Sequence, residues 1–277
     1  MSDATSKTLV AVSPQRHGAR YWRRFESYSF ARAAHCVDIV MAELPPVASA
    51  FPLVFRESFD GAAITPIALL SFGRSENTPF VSADGNWRGT YVPSALRAHP
   101  FTAHSTETAR EMTLLVDEAS GLVTDDPSDQ PFFDTGGAPS QALAQVIEFF
   151  RTRALSAIQT QKACAELNAA GLLTQLHDFA GMSQPDLQGL YGIDFDKLDS
   201  LDASALPALW QSGALRLAEA HRISLCHIGW MLRAERASAG LEPQAAATRP
   251  PSQADTALSG FLDALSDAQD QDWSNRS

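Results

Sequence analysis

The spacing of apolar positions changes near the middle of the chain. Up to residue 137, short runs of β-branched and aromatic residues are separated by turns, as in residues 52–57, 64–72 and 112–117. This pattern is typical of strands in an antiparallel sheet. In residues 140–168 and 215–233, apolar residues recur every three to four positions, which predicts helices. The pattern therefore predicts an α+β fold: an N-terminal, mostly antiparallel β-sheet or partly open barrel, covered by a C-terminal helical layer.

One helix is expected inside the β-rich half. In residues 31–44, Val37, Val40 and Leu44 have the spacing of one helical face. Pro45 and Pro46 follow, and proline removes backbone donors and disfavours helix in the residue before it. We therefore predict one early helix over residues 31–44.

A hairpin is predicted near the centre of this half. Asp84-Gly85 lies between the apolar pair at Phe80-Val81 and the aromatic run that begins at Trp87. Asp-Gly between two such runs favours a tight hairpin turn, because glycine adopts a positive φ at no steric cost. A short helix is expected to follow and to end before His99.

The predicted organisation has three parts: a β-rich domain over residues 1–137, a helical region over 138–236, and a flexible acidic tail over 237–277. The tail begins with a linker rich in Ala, Pro, Gln and Ser, which buries too little apolar area to repay ordering. Leu258, Phe261, Leu262 and Leu265 then have helical spacing among aspartates. This segment is either a docking peptide for a partner, a frayed end, or a helix that folds back.

The charge of the chain limits its partners. The 277 residues have a net charge of −11, although the first 110 carry 11 Lys/Arg and 9 Asp/Glu. An acidic second half repels phosphate backbones, so we expect no nucleic-acid ligand. A basic run over residues 16–24 either holds an anion or an acidic partner, or is a solvated segment that pairs with the acidic half.

The chain lacks the marks of a membrane or secreted protein. Its longest apolar neighbourhood, residues 33–55, is broken by charged residues and prolines, and a spanning helix needs about 20 apolar residues. The N-terminus does not have the layout of a signal peptide. Three widely spaced cysteines without a C-x-x-C pair predict neither a zinc clip nor a disulfide scaffold. We expect a cytoplasmic protein.

The common motifs of phosphate loops, dinucleotide-binding crossovers, nucleophile elbows and zinc proteases are absent from the sequence. The catalytic candidates are His35 and Glu43 on the predicted early helix, and His221 and Ser224 on one face of a later helix. Two histidines that meet across the core form a metal or proton-transfer site in some proteins. The favoured interpretation is that they are hydrogen-bonded core histidines, so no metal site and no cofactor are predicted; iron or zinc is the alternative.

Three aromatic residues, Trp22, Trp87 and Tyr91, are candidates for a partner-binding face, together with Phe261, Leu262 and Leu265 of the tail. Tyrosine and tryptophan combine a large apolar surface with a polar group, which suits binding to a peptide or a flat ring. The alternative, which we favour for the first three, is that they pack against the sheet.

Residues 76–101, ENTPFVSADGNWRGTYVPSALRAHPF, resemble the central signature of the SapC family, whose members are often labelled peptide transport permeases. Further pieces agree in order along residues 20–235: Ala33-Ala34-His35, Ala42-Glu43-Leu44-Pro45, Phe51-Pro52-Leu53-Val54-Phe55, Ala68-Leu69-Leu70, Phe133-Asp134, Leu190-Tyr191-Gly192-Ile193-Asp194, Gly213-Ala214-Leu215, and Ala220-His221 with Ser224. The resemblance implies no specific reaction. It does imply an association with flavin-dependent halogenase-like and cupin-like proteins.

These observations favour a cytoplasmic, non-catalytic binding or accessory protein for a protein or peptide partner, associated with a halogenase-like or cupin-like oxygenase system. The alternative is a metal-assisted enzyme that modifies a peptide or small molecule with His35, Glu43 and His221. The sequence identifies neither the partner nor the oligomeric state.

Overall fold

The computed structural model describes residues 8–58, 63–73, 76–105, 111–176 and 189–238. By its internal contacts the chain divides into two units, Met1–Ala239 and Gly240–Ser277, and every described residue lies in the first. The acidic tail with Phe261, Leu262 and Leu265 therefore lies outside the described residues.

The described residues contain eleven short strands and eight α-helices. The strands are β1 (Leu9–Ala11), β2 (Tyr21–Trp22), β3 (Cys36–Asp38), β4 (Leu53–Glu57), β5 (Ile64–Leu69), β6 (Phe101–Ser105), β7 (Met112–Asp117), β8 (Val123–Thr124), β9 (Gln130–Pro131), β10 (Leu173–Gln175) and β11 (Leu190–Ile193). The helices are α1 (Pro14–His17), α2 (Leu44–Ala48), α3 (Ser94–Arg97), α4 (Gln141–Ala169), α5 (Phe195–Asp199), α6 (Leu206–Ser212), α7 (Ala214–Ser224) and α8 (Ile228–Ser238). Single 3₁₀ turns occur at Ser29–Ala31, Met41–Glu43, Glu118–Ser120, Ala203–Ala205 and Leu225–His227.

The strands form three antiparallel sheets rather than one. A five-stranded sheet has the order β10-β11-β4-β5-β3, and two three-stranded sheets have the orders β1-β7-β6 and β8-β2-β9. The α+β fold class and the antiparallel pairing are confirmed. In the described part of the chain the antiparallel strands are divided among three sheets, because β2 and β7 belong to sheets separate from the one that contains β4 and β5.

The early helix predicted over residues 31–44 is wrong. Its middle is strand β3, which pairs with β5 through Val37 and Ala68. Val37 is buried while its neighbours on the strand are more exposed, which is the alternation of a strand and not the spacing of a helix. Backbone hydrogen bonding to the edge of β5 outweighs the weak local preference of residues 36–38 for helix. Pro45 and Pro46 lie in the first turn of α2, where a missing backbone donor costs little.

The predicted hairpin is reduced to its turn. A single bridge joins Val81 to Trp87, and Gly85 has a φ of +80°. No strand follows in residues 88–92, because the Trp87 indole Nε1 donates to the Tyr91 carbonyl at 2.8 Å and closes a loop instead. The short helix expected before His99 is present as α3.

Helix α4 is the longest described element, with 29 residues. Ser140 caps its N-terminus by accepting a hydrogen bond from the Leu143 amide at 3.1 Å. Leu143 and Phe150 pack into a core around β6, β7 and the β2 sheet. Further along the helix, Ala163 and Leu167 pack into a second core around the five-stranded sheet. One helix therefore joins the two cores.

Among the described residues, no helix is long and apolar enough to cross a membrane.

Candidate functional site

A surface cavity of about 540 Å³ lies between the segment that follows β2, the end of α3 and the first half of α4. We call it the Trp22 cavity. Its lining combines aromatic, aliphatic and cationic side chains: Trp22, Arg24, Phe25, Tyr28, Arg97, Ala98, His99, Phe101, Ala142, Gln145, Val146, Phe149 and Phe150. A concave site with apolar walls and a few polar groups is the usual form of a binding pocket.

Aromatic contacts build the walls of the cavity. Trp22 is only 4% exposed and packs edge-to-face on Phe101, with ring centroids 4.9 Å apart. Phe25 packs against Tyr28 at 5.1 Å, and Tyr28 contacts Trp87 at 5.3 Å. Trp87 therefore supports the wall from behind and does not line it. The walls are held by ring packing, so the cavity has a defined shape before any ligand binds.

The Asp84-Gly85 turn fixes one wall. The Gly85 carbonyl accepts a hydrogen bond from the Tyr28 amide at 2.8 Å. A Cβ at Gly85 would lie 1.9 Å from the Ser27 Oγ, so only glycine fits there. The turn in the family-like signature thus holds the chain segment that carries Phe25 and Tyr28.

The cationic groups of the lining have no carboxylate beside them. Arg24 and Arg97 are both exposed, and the lining contains no Asp or Glu. Within the described part of the chain, Arg24 makes no hydrogen bond or ion pair, and the buried Trp22 Nε1 has no acceptor. The cavity is therefore a locally positive, donor-rich surface on a protein of net charge −11.

Tyr91 holds Arg97 in place. The Arg97 Nη2 donates to the Tyr91 hydroxyl at 3.0 Å, and the guanidinium lies over the phenol ring at 5.4 Å. Burial, together with repulsion from the neighbouring Glu43 carboxylate, raises the pKa of Tyr91 to about 12. The phenol is therefore neutral at physiological pH, and it donates to Glu43 while it accepts from Arg97.

Glu43 is a buried brace behind the cavity. Its Oε2 accepts from the Tyr91 hydroxyl at 2.9 Å and from the Ser94 amide at 2.8 Å. Its Oε1 accepts from the Ser94 hydroxyl at 2.6 Å and from Arg153 at 3.1 Å. Arg153 also donates to the Ser94 hydroxyl. The carboxylate thus joins the start of α3 to α4, and its oxygens are used in structural hydrogen bonds.

His221 is buried and neutral. Its Nε2 accepts from the Ile193 amide at 3.2 Å, so the neutral ring carries its hydrogen on Nδ1, which donates to the Leu53 carbonyl at 2.6 Å. Burial lowers the pKa of His221 to about 4, and this outweighs the hydrogen bond to Leu53. Tyr191 pairs with Phe55, so the same register would place Ile193 opposite Leu53. The imidazole bridges β4 and β11 where the two strands separate.

Ser224 and Gly192 complete the contact between β4 and β11, which we call the β4–β11 joint. The Ser224 Oγ accepts from the Leu53 amide at 2.9 Å and donates to the His221 carbonyl at 2.7 Å. At Gly192 a Cβ would lie 3.3 Å from the His221 Nε2 and 2.8 Å from the Leu176 Cδ2. His221 and Ser224 therefore satisfy the backbone at the start of β4, in agreement with the interpretation as hydrogen-bonded core residues.

His35 lies on the surface just before β3, and its carbonyl accepts from the Leu70 and Ser71 amides. The contacts described for His35, Glu43 and His221 have no residue in common, and the helix on which His35 and Glu43 were expected does not exist. Among the described residues, no group of three His, Cys, Asp or Glu side chains is placed to hold a metal ion.

The basic run divides into two parts. Arg16 forms a bidentate ion pair with Glu118, and Arg20 pairs with Asp125 at 2.6 Å, so both contact carboxylates of the acidic second half of the chain. Arg24 instead lines the cavity. Sequence reasoning singled out Trp22, but it did not identify Arg97, Tyr28 or the α4 residues, which are distant in sequence. The only sequence signal for Arg24 was its place in the basic run.

A second cavity, of about 730 Å³, adjoins the first and shares Ala98, Phe101 and Phe150 with it. Its arginines are paired: Arg56 contacts Asp38 at 3.0 Å, and Arg153 contacts Glu43. This cavity consequently lacks the unpaired positive charge of the Trp22 cavity.

The fold and the cavity define an α+β protein with an aromatic surface cavity lined by two arginines. The SapC family model matches residues 12–230, which is most of the chain, so the protein belongs to the SapC family. Comparison with curated proteins and comparison with solved structures gave no match.

Proposed function

We propose that this protein is a cytoplasmic, non-catalytic binding or accessory protein, and that it holds a protein or peptide partner at the Trp22 cavity. The observation that carries the proposal is a preformed cavity with aromatic walls, whose lining contains two arginines and no carboxylate among the described residues. Aromatic residues and arginine are the groups that dominate binding energy at protein interfaces.

The state of the buried ionisable groups also supports a binding role. Glu43 and His221 are each engaged by several backbone or side-chain partners. A general acid or base needs an atom within hydrogen-bond reach of a substrate. Glu43 instead braces α3 and α4 beside the cavity, and His221 braces β4 and β11.

The identity of the partner is proposed from the family resemblance. It supports a partner from a flavin-dependent halogenase-like or cupin-like oxygenase system. Phe261, Leu262 and Leu265 of the acidic tail are proposed as a second partner-binding segment, because their helical spacing suits docking into a groove.

A bulky substitution at the cavity tests the proposal. Gln145 is exposed on α4 and lines the cavity, so Gln145→Trp fills it without disturbing either core. We expect affinity capture from the native cell to recover a partner with the unaltered protein and about tenfold less of it with Gln145→Trp. The matched control is Gln159→Trp, which changes the same residue type at another exposed position of α4 and is expected to retain capture.

Equal recovery with both variants would contradict the proposal, provided that both melt within about 2 °C of the unaltered protein. The competing metal-assisted enzyme predicts a different result: tag-free protein with stoichiometric iron or zinc that is lost in His35→Ala. Metal analysis of the same preparations separates the two hypotheses.

A further inference from the structure

The polar groups of the Trp22 cavity are suited to a carboxylate. Arg24 and Arg97 are both exposed hydrogen-bond donors, and the lining contains no carboxylate to neutralise them. Guanidinium groups bind carboxylates with two parallel hydrogen bonds, which are stronger than bonds between neutral groups. An acidic ligand therefore replaces water at these donors at a lower cost than a neutral ligand does.

Arg97 is prepared for this role before binding. Its Nη2 is bonded to the Tyr91 hydroxyl, and Tyr91 is bonded to the buried Glu43. The remaining guanidinium donors face no acidic side chain of the lining. A side chain that is already held in place loses less conformational entropy when it binds, so its contact contributes more to affinity.

The shape of the surface favours an extended chain. An adjoining hollow of about 330 Å³ shares Trp22, Arg24, Ala142 and Gln145 with the cavity and continues to Gln130 and Gln141. Another, of about 350 Å³, shares Arg24, Phe25 and His99. The three hollows adjoin one another as one groove, with Arg24 common to all of them. Glu26 lines only the third hollow, where Arg23 lines it as well. A groove with glutamines along one side suits a peptide, because amide groups bond to its backbone.

The apolar walls define the second requirement of the ligand. Tyr28, Val146 and Phe149 present apolar surface beside the arginines. A run of carboxylates alone would leave this surface in water, whereas an apolar or aromatic residue next to the acid buries it. The groove therefore fits alternating acidic and aromatic residues better than a purely acidic run.

We propose, on the basis of the binding role given above, that the Trp22 cavity binds an acidic peptide segment of the partner. Carboxylates of this segment contact Arg24 and Arg97, and an adjacent aromatic or apolar side chain packs between Tyr28 and Phe149. The acidic partner is recognised by a local positive surface on a protein that is itself acidic overall.

Two matched peptides test the proposal by titration calorimetry at about 0.1 M salt: acetyl-Phe-Glu-Phe-Asp-amide and its neutral counterpart acetyl-Phe-Gln-Phe-Asn-amide. We expect the acidic probe to bind about tenfold or more tightly than the neutral probe. Arg24→Gln and Arg97→Gln are each expected to weaken the acidic probe about tenfold. Arg88→Gln, at an exposed position that lines none of the three hollows, is expected to change it less than about twofold.

Four results would overturn the proposal: no binding of the acidic probe, equal binding of both probes, equal loss with Arg88→Gln and Arg24→Gln, or phenylacetate binding as tightly as the acidic probe. Partner capture separates this failure from failure of the proposed function. Capture that is lost in Gln145→Trp but kept in the Arg24→Gln/Arg97→Gln double variant rejects acidic recognition and leaves the binding role. Capture kept in Gln145→Trp rejects both.

Discussion

At the scale of single residues, Glu43 and His221 hold the structure together by satisfying backbone groups that would otherwise be buried without partners. Glu43 accepts from the Ser94 amide, and His221 bridges the Ile193 amide and the Leu53 carbonyl. An unsatisfied buried polar group costs about 1–3 kcal/mol, and more when it is charged. These side chains stabilise the fold, and we expect changes in them to alter the free energy of unfolding and its pH dependence.

Replacing the Glu43 carboxylate by an amide is expected to be costly. In Glu43→Gln, the new NH₂ group meets the donors of Ser94 or Arg153, and Arg153 loses its buried counter-charge. We expect the free energy of unfolding to fall by about 3 kcal/mol, measured by urea titration. The control is Glu57→Gln, where an exposed carboxylate accepts from Tyr191 at 2.7 Å, with an expected loss below about 1 kcal/mol. Similar losses in both variants would contradict the bracing role of Glu43.

His221 is expected to make the protein acid-sensitive. The folded-state pKa, about 4, lies below the usual 6.5, so between these values the unfolded chain binds a proton that the folded protein does not. Stability is therefore complete above pH 6.5 and is lost as the pH falls, by about 2 kcal/mol at pH 5 from this group. His17 acts in the same direction, because burial lowers its pKa.

The measurement is an NMR titration of the histidine rings combined with urea unfolding at pH 7 and pH 5. A His221 ring that titrates near pH 6.5 would show that it is not enclosed as described.

At the scale of elements, local sequence signals set where some helices begin, whereas strand β3 forms through pairing with another strand. Helix α4 begins at the capping Ser140, and α5 begins after Asp194, whose side chain accepts from the Lys197 amide. Both helix starts are visible in the sequence, because a cap is a local arrangement. Strand β3 has no such signal and depends on pairing with β5, which is about 30 residues away in the chain.

The joint between β4 and β11 is expected to require glycine at position 192. In Gly192→Ala, the added methyl group would press on the His221 ring and on Leu176. We expect a loss of about 2 kcal/mol in the free energy of unfolding, since one of the two neighbours is fixed by hydrogen bonds. Gly229→Ala in α8 is the matched control. There the nearest atom is 3.6 Å away, and the substitution is expected to be neutral or stabilising by up to about 1 kcal/mol. An unchanged free energy of unfolding in Gly192→Ala would contradict the close packing of Gly192 against His221 and Leu176.

At the scale of the whole described unit, two apolar cores share one helix. Leu143 near the start of α4 belongs to one core, and Leu167 near its end belongs to the other. Loss of packing in either core removes support from the same helix. The Trp22 cavity also depends on this arrangement, because its lining comes from β2, α3 and α4.

This arrangement predicts cooperative unfolding of both cores. Leu143→Ala is expected to cost about 3 kcal/mol, because the side chain is 1% exposed. The midpoints measured by far-UV circular dichroism and by tryptophan fluorescence are expected to shift together. Leu155→Ala, at an exposed position of α4, is the control and is expected to leave both midpoints unchanged. Two separate transitions in Leu143→Ala would show that the cores unfold independently.

The candidate site was only partly visible in the sequence. Trp22 was singled out, and it lines the cavity. Trp87 and Tyr91 do not line it, but each contacts a lining residue: Trp87 packs against Tyr28, and Tyr91 accepts a hydrogen bond from Arg97. Arg97 and Phe149 could not be grouped with Trp22, since roughly 50 to 130 residues separate the three in the chain. The histidines were placed correctly in the core only for His221; His35 is exposed.

The sequence by itself determined the features that depend on neighbours along the chain: the α+β class, the strands within residues 52–57, 64–72 and 112–117, the long helix over residues 140–168, and the turn at Gly85. The tertiary structure decided which strands pair, that residues 36–38 are a strand, and that Arg24 and Arg97 meet at one cavity. The physical reason is range. Dihedral preferences and caps act over about four residues. Strand pairing and shared cavities bring together segments that are far apart in the chain, and no local sequence pattern indicates which segments will meet.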